Sequence, residues 1–155
     1  MAKQEINYWL MKSEPDIYGI DHLKEEGSTL WDGIRNYQAR NFMRDMKPND
    51  LAFFYHSNCK SPGISGLMKV TEVNLIDPTQ FDQNSRYFAP KSTIEKPIWD
   101  CVKLVFVKKF NEQLSLKELK SIYNQDELQI LKKGNRLSIT PIDSSVAKNI
   151  LERTQ

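Results

Sequence analysis

Leu51-Ala52-Phe53-Phe54-Tyr55-His56, with the longer run from Gly63 to Ile76 that follows it, decides how this chain folds. Residues 51–56 are aromatic and apolar without a helical gap, which predicts a β-strand. Ser57 to Pro62 holds the residues that form turns. In the second run Ile64, Leu67, Val70, Val73 and Leu75 do not quite alternate, so a long strand with a bulge at Ser65-Gly66 is predicted. The two runs read as hairpin partners, and the end of the first delivers Tyr55, His56, Ser57 and Asn58 into the intervening loop.

Upstream, Tyr8 to Met11 reads as a short strand stopped by Pro15, with Trp9 in the core. Asp16 then caps a helix carrying Ile17, Ile20 and Leu23, and Gly27 ends it. Trp31-Asp32-Gly33-Ile34-Arg35-Asn36-Tyr37-Gln38-Ala39-Arg40-Asn41 precedes the hairpin. From Asn36, an N-cap, a helix buries Ala39, Phe42, Met43 and Met46, while Asn36, Arg40, Arg44 and Lys47 form a basic stripe on another face.

Downstream, Asp77 to Pro97 contains three prolines and reads as a long loop anchored by Phe81, Tyr87 and Phe88. Trp99 to Phe110 alternates as a strand, expected to cross the sheet centre. Leu114 to Tyr123 and Asp126 to Lys133 read as short helices and Arg136 to Ile142 as a last strand. Asp143 caps a closing helix bearing Val146, Ile150 and Leu151. The fold class is therefore α+β: one domain over residues 1–155, a mixed β-barrel of about five or six strands decorated by short helices.

Composition bounds the function. The chain has 155 residues, 39% hydrophobic and 27% charged, and a net charge of +2, so it is no polycation and nucleic-acid binding requires a local patch. Cys59 and Cys101 lack CxxC spacing, and His56 with Cys59 makes too small a set for zinc, so no metal or cofactor is expected. Met1 to Asn7 carries Lys3 and Glu5 with no apolar leader, and no run reaches the ~18 apolar residues of a membrane span. The expected address is cytoplasmic, with nuclear entry by diffusion in a eukaryote. Oligomeric state leaves no mark in the sequence.

The 31–41 stretch crowds together stacking rings, amides and guanidinium groups, the groups that recognise a nucleobase and its phosphates. Its order and spacing, together with Tyr8-Trp9-Leu10, Lys12-Ser13-Glu14-Pro15, Phe54-Tyr55-His56-Ser57, Gly63-Ile64-Ser65-Gly66, Tyr87-Phe88, Lys96-Pro97-Ile98-Trp99 and Arg136 to Pro141, resemble the EVE-domain family across essentially the whole chain. Ile34 departs from the valine commoner there, and the long basic N-terminal tail of some eukaryotic members is missing. The resemblance implies a PUA-like barrel related to the YTH and ASCH folds, a pocket for a chemically modified base, particularly a 5-modified cytosine, and no established catalysis.

Read on those terms, the chain is a non-catalytic module whose partner is DNA or RNA carrying a modified base. An extruded base needs stacking walls and edge partners. Trp31 is the first wall, with Tyr55 or Trp99 opposite; Ser57, Asn58 and Asn36 supply edge groups beside His56, and Ser13 or Ile34 borders the 5-substituent. Arg35, Arg40, Arg44 and Lys60 are the phosphate candidates. The alternative is an enzyme acting on a modified base or nucleotide, with His56 or Glu14 as general acid-base. No catalytic residue is assigned under the leading reading, because adjacent strand residues point to opposite faces and no second titratable partner shares the motif.

Overall fold

The computed structural model describes residues 5–155; Lys3 lies outside them. Strands β1 (Tyr8–Ser13), β2 (Ser28–Leu30), β3 (Leu51–His56), β4 (Gly63–Ile76), β5 (Asp100–Ser115) and β6 (Ile139–Ile142) form one sheet in the order β2-β5-β4-β3-β1-β6. Its helices are α1 (Pro15–Tyr18), α2 (Ile20–Glu26), α3 (Tyr37–Asp45), α4 (Leu116–Ile122) and α5 (Ser144–Arg153). The sheet is mixed, since β1 pairs parallel with β3 and antiparallel with β6. β2 and β6 remain as its two edges, so the expected barrel closure is absent and the architecture is an open α+β sheet.

Both faces are covered. Trp9, Met11, Ala52 and Phe54 pack with Trp31, Ile34, Ala39 and Met43 on one side; Leu10, Phe53 and Tyr55 pack with Leu119, Val146 and Ile150 on the other. A strand buried on both faces reads as a continuous apolar run, which explains the 51–56 segment. The hairpin forms as expected, antiparallel from Leu51↔Lys69 to His56↔Gly63, and its register shifts between Phe54↔Gly66 and Tyr55↔Ile64, leaving Ser65 as the bulge residue.

Several elements differ from expectation. The first helix is two helices broken at Gly19: the Gly19 N–H is taken by His22 Nδ1 at 2.7 Å and the Ile20 N–H by His56 Nε2 at 3.1 Å. Glu14, not Asp16, precedes the first helical residue, and Ile17 falls off the buried stripe at 54% exposure. Gly27 ends α2 with φ 84° and its N–H on Leu23 O. β2 has only three residues, too few to carry a period, and exists by pairing with β5. That pairing places β5 one strand from the edge rather than at the centre. Residues 126–133 contain only a short 3-10 turn at Gln129–Leu131, and the last strand starts at Ile139 rather than Arg136. Asp143 precedes α5 without a side-chain capping bond. Among the described residues no helix is long and apolar enough to cross a membrane.

Candidate functional site

Where β1 and β3 end side by side, the chain leaves the sheet and a cleft of about 830 Å³ opens. Lys12, Ser13 and Glu14 at the end of β1 form one wall with Ile17 and Tyr18 of α1. Thr29 to Ile34 form the second, and Ser57, Arg86, Tyr87, Asn135, Arg136 and Ser138 complete the lining. The Ser57 N–H donates to Ser13 O at 3.0 Å and the Lys12 N–H to Ser138 O at 2.8 Å, so the backbone itself holds three distant segments together.

The 31–36 segment is fixed by a buried carboxylate. Asp77, whose side chain is 0% exposed, accepts the Gly33 N–H at 2.8 Å, Arg35 Nη1 at 3.0 Å, the Thr79 N–H at 2.7 Å and Thr79 Oγ1 at 2.5 Å. Four donors on one buried carboxylate satisfy its hydrogen-bonding capacity. Gly33 sits at φ 77°, and a Cβ there would lie 2.7 Å from the Tyr87 ring, so only glycine permits this approach. Arg35 also donates through Nε and Nη2 to Tyr87 O, at 3.0 and 2.6 Å.

Electrostatically the cleft mixes signs. Half-burial pushes the Lys12 ammonium below its ordinary pKa. Partial burial, then the neighbouring Asp77 charge, pushes the Asp32 carboxyl up. Arg86 and Arg136 bring positive charge, and Glu14 is tied to the Asn58 amide, whose Nδ2 donates at 2.7 Å.

Of the pocket residues predicted from sequence, Ser13, Trp31, Ile34 and Ser57 line this cleft. Trp31 is 7% exposed and packs edge-on against Phe54 at 5.5 Å, which makes it floor rather than an open wall. Tyr55 points to the opposite face of the sheet because the strand alternates, and burial there pushes its hydroxyl up to about 12. His56 faces α2, where Nε2 accepts the Ile20 N–H, and burial lowers its pKa. Asn58 lies at the loop surface against Glu14. Asn36 caps α3 by accepting the Ala39 N–H at 2.9 Å.

Trp99, Arg35, Arg40 and Arg44 are not part of the cleft lining. Trp99 stacks on Tyr37 at 4.8 Å and 29°, with Arg35 5.4 Å and Arg40 5.8 Å from its ring. As phosphate candidates, Arg35 is consumed by Asp77 and Tyr87, and Arg44 pairs with Asp100 at 2.5 Å. Arg40 donates to Ile98 O and to Asn41, and Lys60 is exposed in the β3–β4 loop. Lys12, Tyr18, Asp32, Arg86, Tyr87, Arg136 and Ser138 also line the cleft, residues to which the sequence motifs alone assign no pocket role. Asp32 had a signal, a carboxylate between Trp31 and Gly33 with no periodic reason to be there; Arg86 had none.

The chain belongs to the EVE-domain family: the model described as EVE domain matches residues 7–153. Human thymocyte nuclear protein 1 is 42% identical over 154 residues, covering 88% of this chain and 68% of that protein. The rat protein of that name is 45% identical over 133 residues, covering 79% of this chain but only 59% of its own length, so the chain spans part of these relatives. Among solved structures, one from Pseudomonas putida matches with TM-score 0.92 and 42% identity, covering 96% of this chain and 99% of that one. Human THYN1 protein in complex with 5-methylcytosine containing DNA matches with TM-score 0.89 and 40% identity, covering 96% and 98%.

Proposed function

We propose that this protein is a non-catalytic reader of a modified base, a 5-modified cytosine, in a nucleic acid, and that the base enters the cleft beside Trp31. The observation that carries the reading is the convergence of Trp31, Ile34, Lys12, Asp32, Ser13 and Ser57 on one concave site, in a chain whose relative is bound to 5-methylcytosine containing DNA. Cytosine offers an N4 donor beside N3 and O2 acceptors. Asp32 supplies the acceptor and Lys12 with Ser57 supplies donors, while the Ser13 hydroxyl, which donates to Tyr18 O at 2.6 Å, keeps only its acceptor side. Trp31 and Ile34 give the apolar floor for the ring and its 5-substituent, and Arg86 and Arg136 meet the flanking phosphates without reading sequence.

The enzyme alternative has less support. His56, its candidate base, is turned away from the cleft lining, with Nε2 engaged by a backbone N–H. Glu14 lines the cleft but is held by Asn58.

Fluorescence anisotropy with matched oligonucleotides bearing cytosine, 5-methylcytosine, 5-hydroxymethylcytosine or N6-methyladenine tests the reading. The 5-modified cytosines should bind tightest, and Asp32→Asn should weaken them roughly tenfold, the worth of a good edge contact. Equal affinity across the panel overturns the proposal, and a converted base recovered afterwards overturns its non-catalytic part.

A further inference from the structure

Tyr37 is 58% exposed, the most exposed aromatic ring among the described residues' large hydrophobics, yet it is held. Its inner face stacks on Trp99 at 4.8 Å, and the Arg40 guanidinium lies 4.9 Å from its centroid. Trp99 beneath it is fixed in turn, because Gln80, itself 0% exposed, accepts the Trp99 N–H at 3.0 Å and donates to Trp99 O at 2.7 Å. The ladder continues to the cleft. Arg35 lies 5.4 Å from the Trp99 ring and 5.8 Å from the Tyr87 ring, and Arg86 lies 5.3 Å from Tyr87, which with Arg86 lines the cleft.

An exposed ring ordinarily loses rotamer freedom when it captures a ligand; one already stacked and flanked has little left to lose. Three of Arg40's five N–H groups are used, on Ile98 O and Asn41 Oδ1, so two remain to meet an anion beside the ring. An exposed aromatic ring with a guanidinium 4.9 Å from its centroid suits one class of partner, a nucleobase and its phosphate.

We propose that Tyr37 is a second stacking platform, which takes an unpaired base flanking the modified one on the same strand, with Arg40 on the adjoining phosphate. The proposal rests on the cleft being the site of the modified base. It implies that the bound strand is unstacked along the ladder, because a base within a duplex has no free face to offer.

The test compares two ligands: free 5-methyl-2′-deoxycytidine, measured by calorimetry, and a single-stranded oligonucleotide of about twelve nucleotides with one central 5-methylcytosine, measured by anisotropy. Tyr37→Ala should weaken the oligonucleotide about 5- to 150-fold and leave the nucleoside unchanged. Tyr37→Phe should bind both as wild type does, and Tyr37→Leu, which still covers Trp99, should behave like Tyr37→Ala. Oligonucleotide binding unchanged in Tyr37→Ala overturns the platform, as does full rescue by leucine or an equal loss for the nucleoside. The cleft reading fails by a separate result, wild-type affinity that ignores the methyl group.

Discussion

The cleft and the Tyr37–Trp99 ladder both draw on residues 31–41, yet they are built in opposite ways. The cleft gathers the ends of β1 and β3, the strand before Trp31, Tyr87 and Ser138, and leaves Asp32 and Lys12 with shifted pKa values facing its space. The ladder is assembled from rings and guanidinium groups already paired with each other. One surface is shaped by backbone and keeps polar groups available; the other is shaped by side chains and keeps one face of one ring. The same eleven-residue stretch serves both because Gly33 turns the chain and Arg35 is clamped where they meet.

Arg35→Ala cuts at that junction and should have the largest effect. It removes the only charged partner of Asp77 among its described contacts, a carboxylate with no exposed side-chain surface. Loss of one member of a buried pair costs about 3–5 kcal/mol, and the remaining Gly33 and Thr79 donors place this case near ~3 kcal/mol. Arg35→Lys should not rescue it, since an ammonium cannot reproduce the planar fork that meets Asp77, Thr79 and Tyr87 together. Urea unfolding measures both variants; a loss near zero for Arg35→Ala would mean that the two surfaces are not joined there.

Gly33→Ala sharpens the comparison from the cleft side. The left-handed backbone costs roughly 1–2 kcal/mol for an L-residue, before the Tyr87 ring has to move. Discrimination between cytosine and 5-methylcytosine should fall, while the Tyr37-dependent part of oligonucleotide affinity persists. Loss of both together would show that the ladder cannot hold its shape without the Gly33 turn.

The smallest expected effect is acid dependence through His56. Burial sets its folded pKa below the ordinary 6.5, and protonation would remove the lone pair that receives the Ile20 N–H. The stabilisation is complete above 6.5 and is lost as pH falls toward the folded value, because the unfolded chain takes up the proton more readily. Chemical denaturation at pH 7.5 and pH 5 should show a smaller difference for His56→Gln than for wild type. If the difference is unchanged, the α2 contact does not titrate.

The sequence made the long elements legible because their patterns carry their own period or continuity: the hairpin, its bulge at Ser65, α3 with its Asn36 cap, and α5. β2 was invisible, as three residues paired with β5 have no local signature. The open edges were likewise hidden, since a strand's sequence does not say whether its last neighbour exists. In the site, Ser13, Trp31, Ile34 and Ser57 were legible from motif chemistry. Tyr55 was misplaced for a plain reason: in a strand buried on both faces, aromatic character does not tell which side a ring takes. Arg35 and Arg44 looked like free cations because their acceptors, Asp77 and Asp100, lie 42 and 56 positions away.

The placement of β1 between β3 and β6 has a consequence for biosynthesis. Tyr8 pairs with Ile142 and Met11 with Ile139, so among the described strands the first to be synthesised waits for the last before its second edge is covered. Contacts spanning nearly the whole chain form slowly and late. Arg136 and Ser138, which line the cleft, arrive with that final strand. The cleft is therefore complete only after the hairpin and α3 have been synthesised.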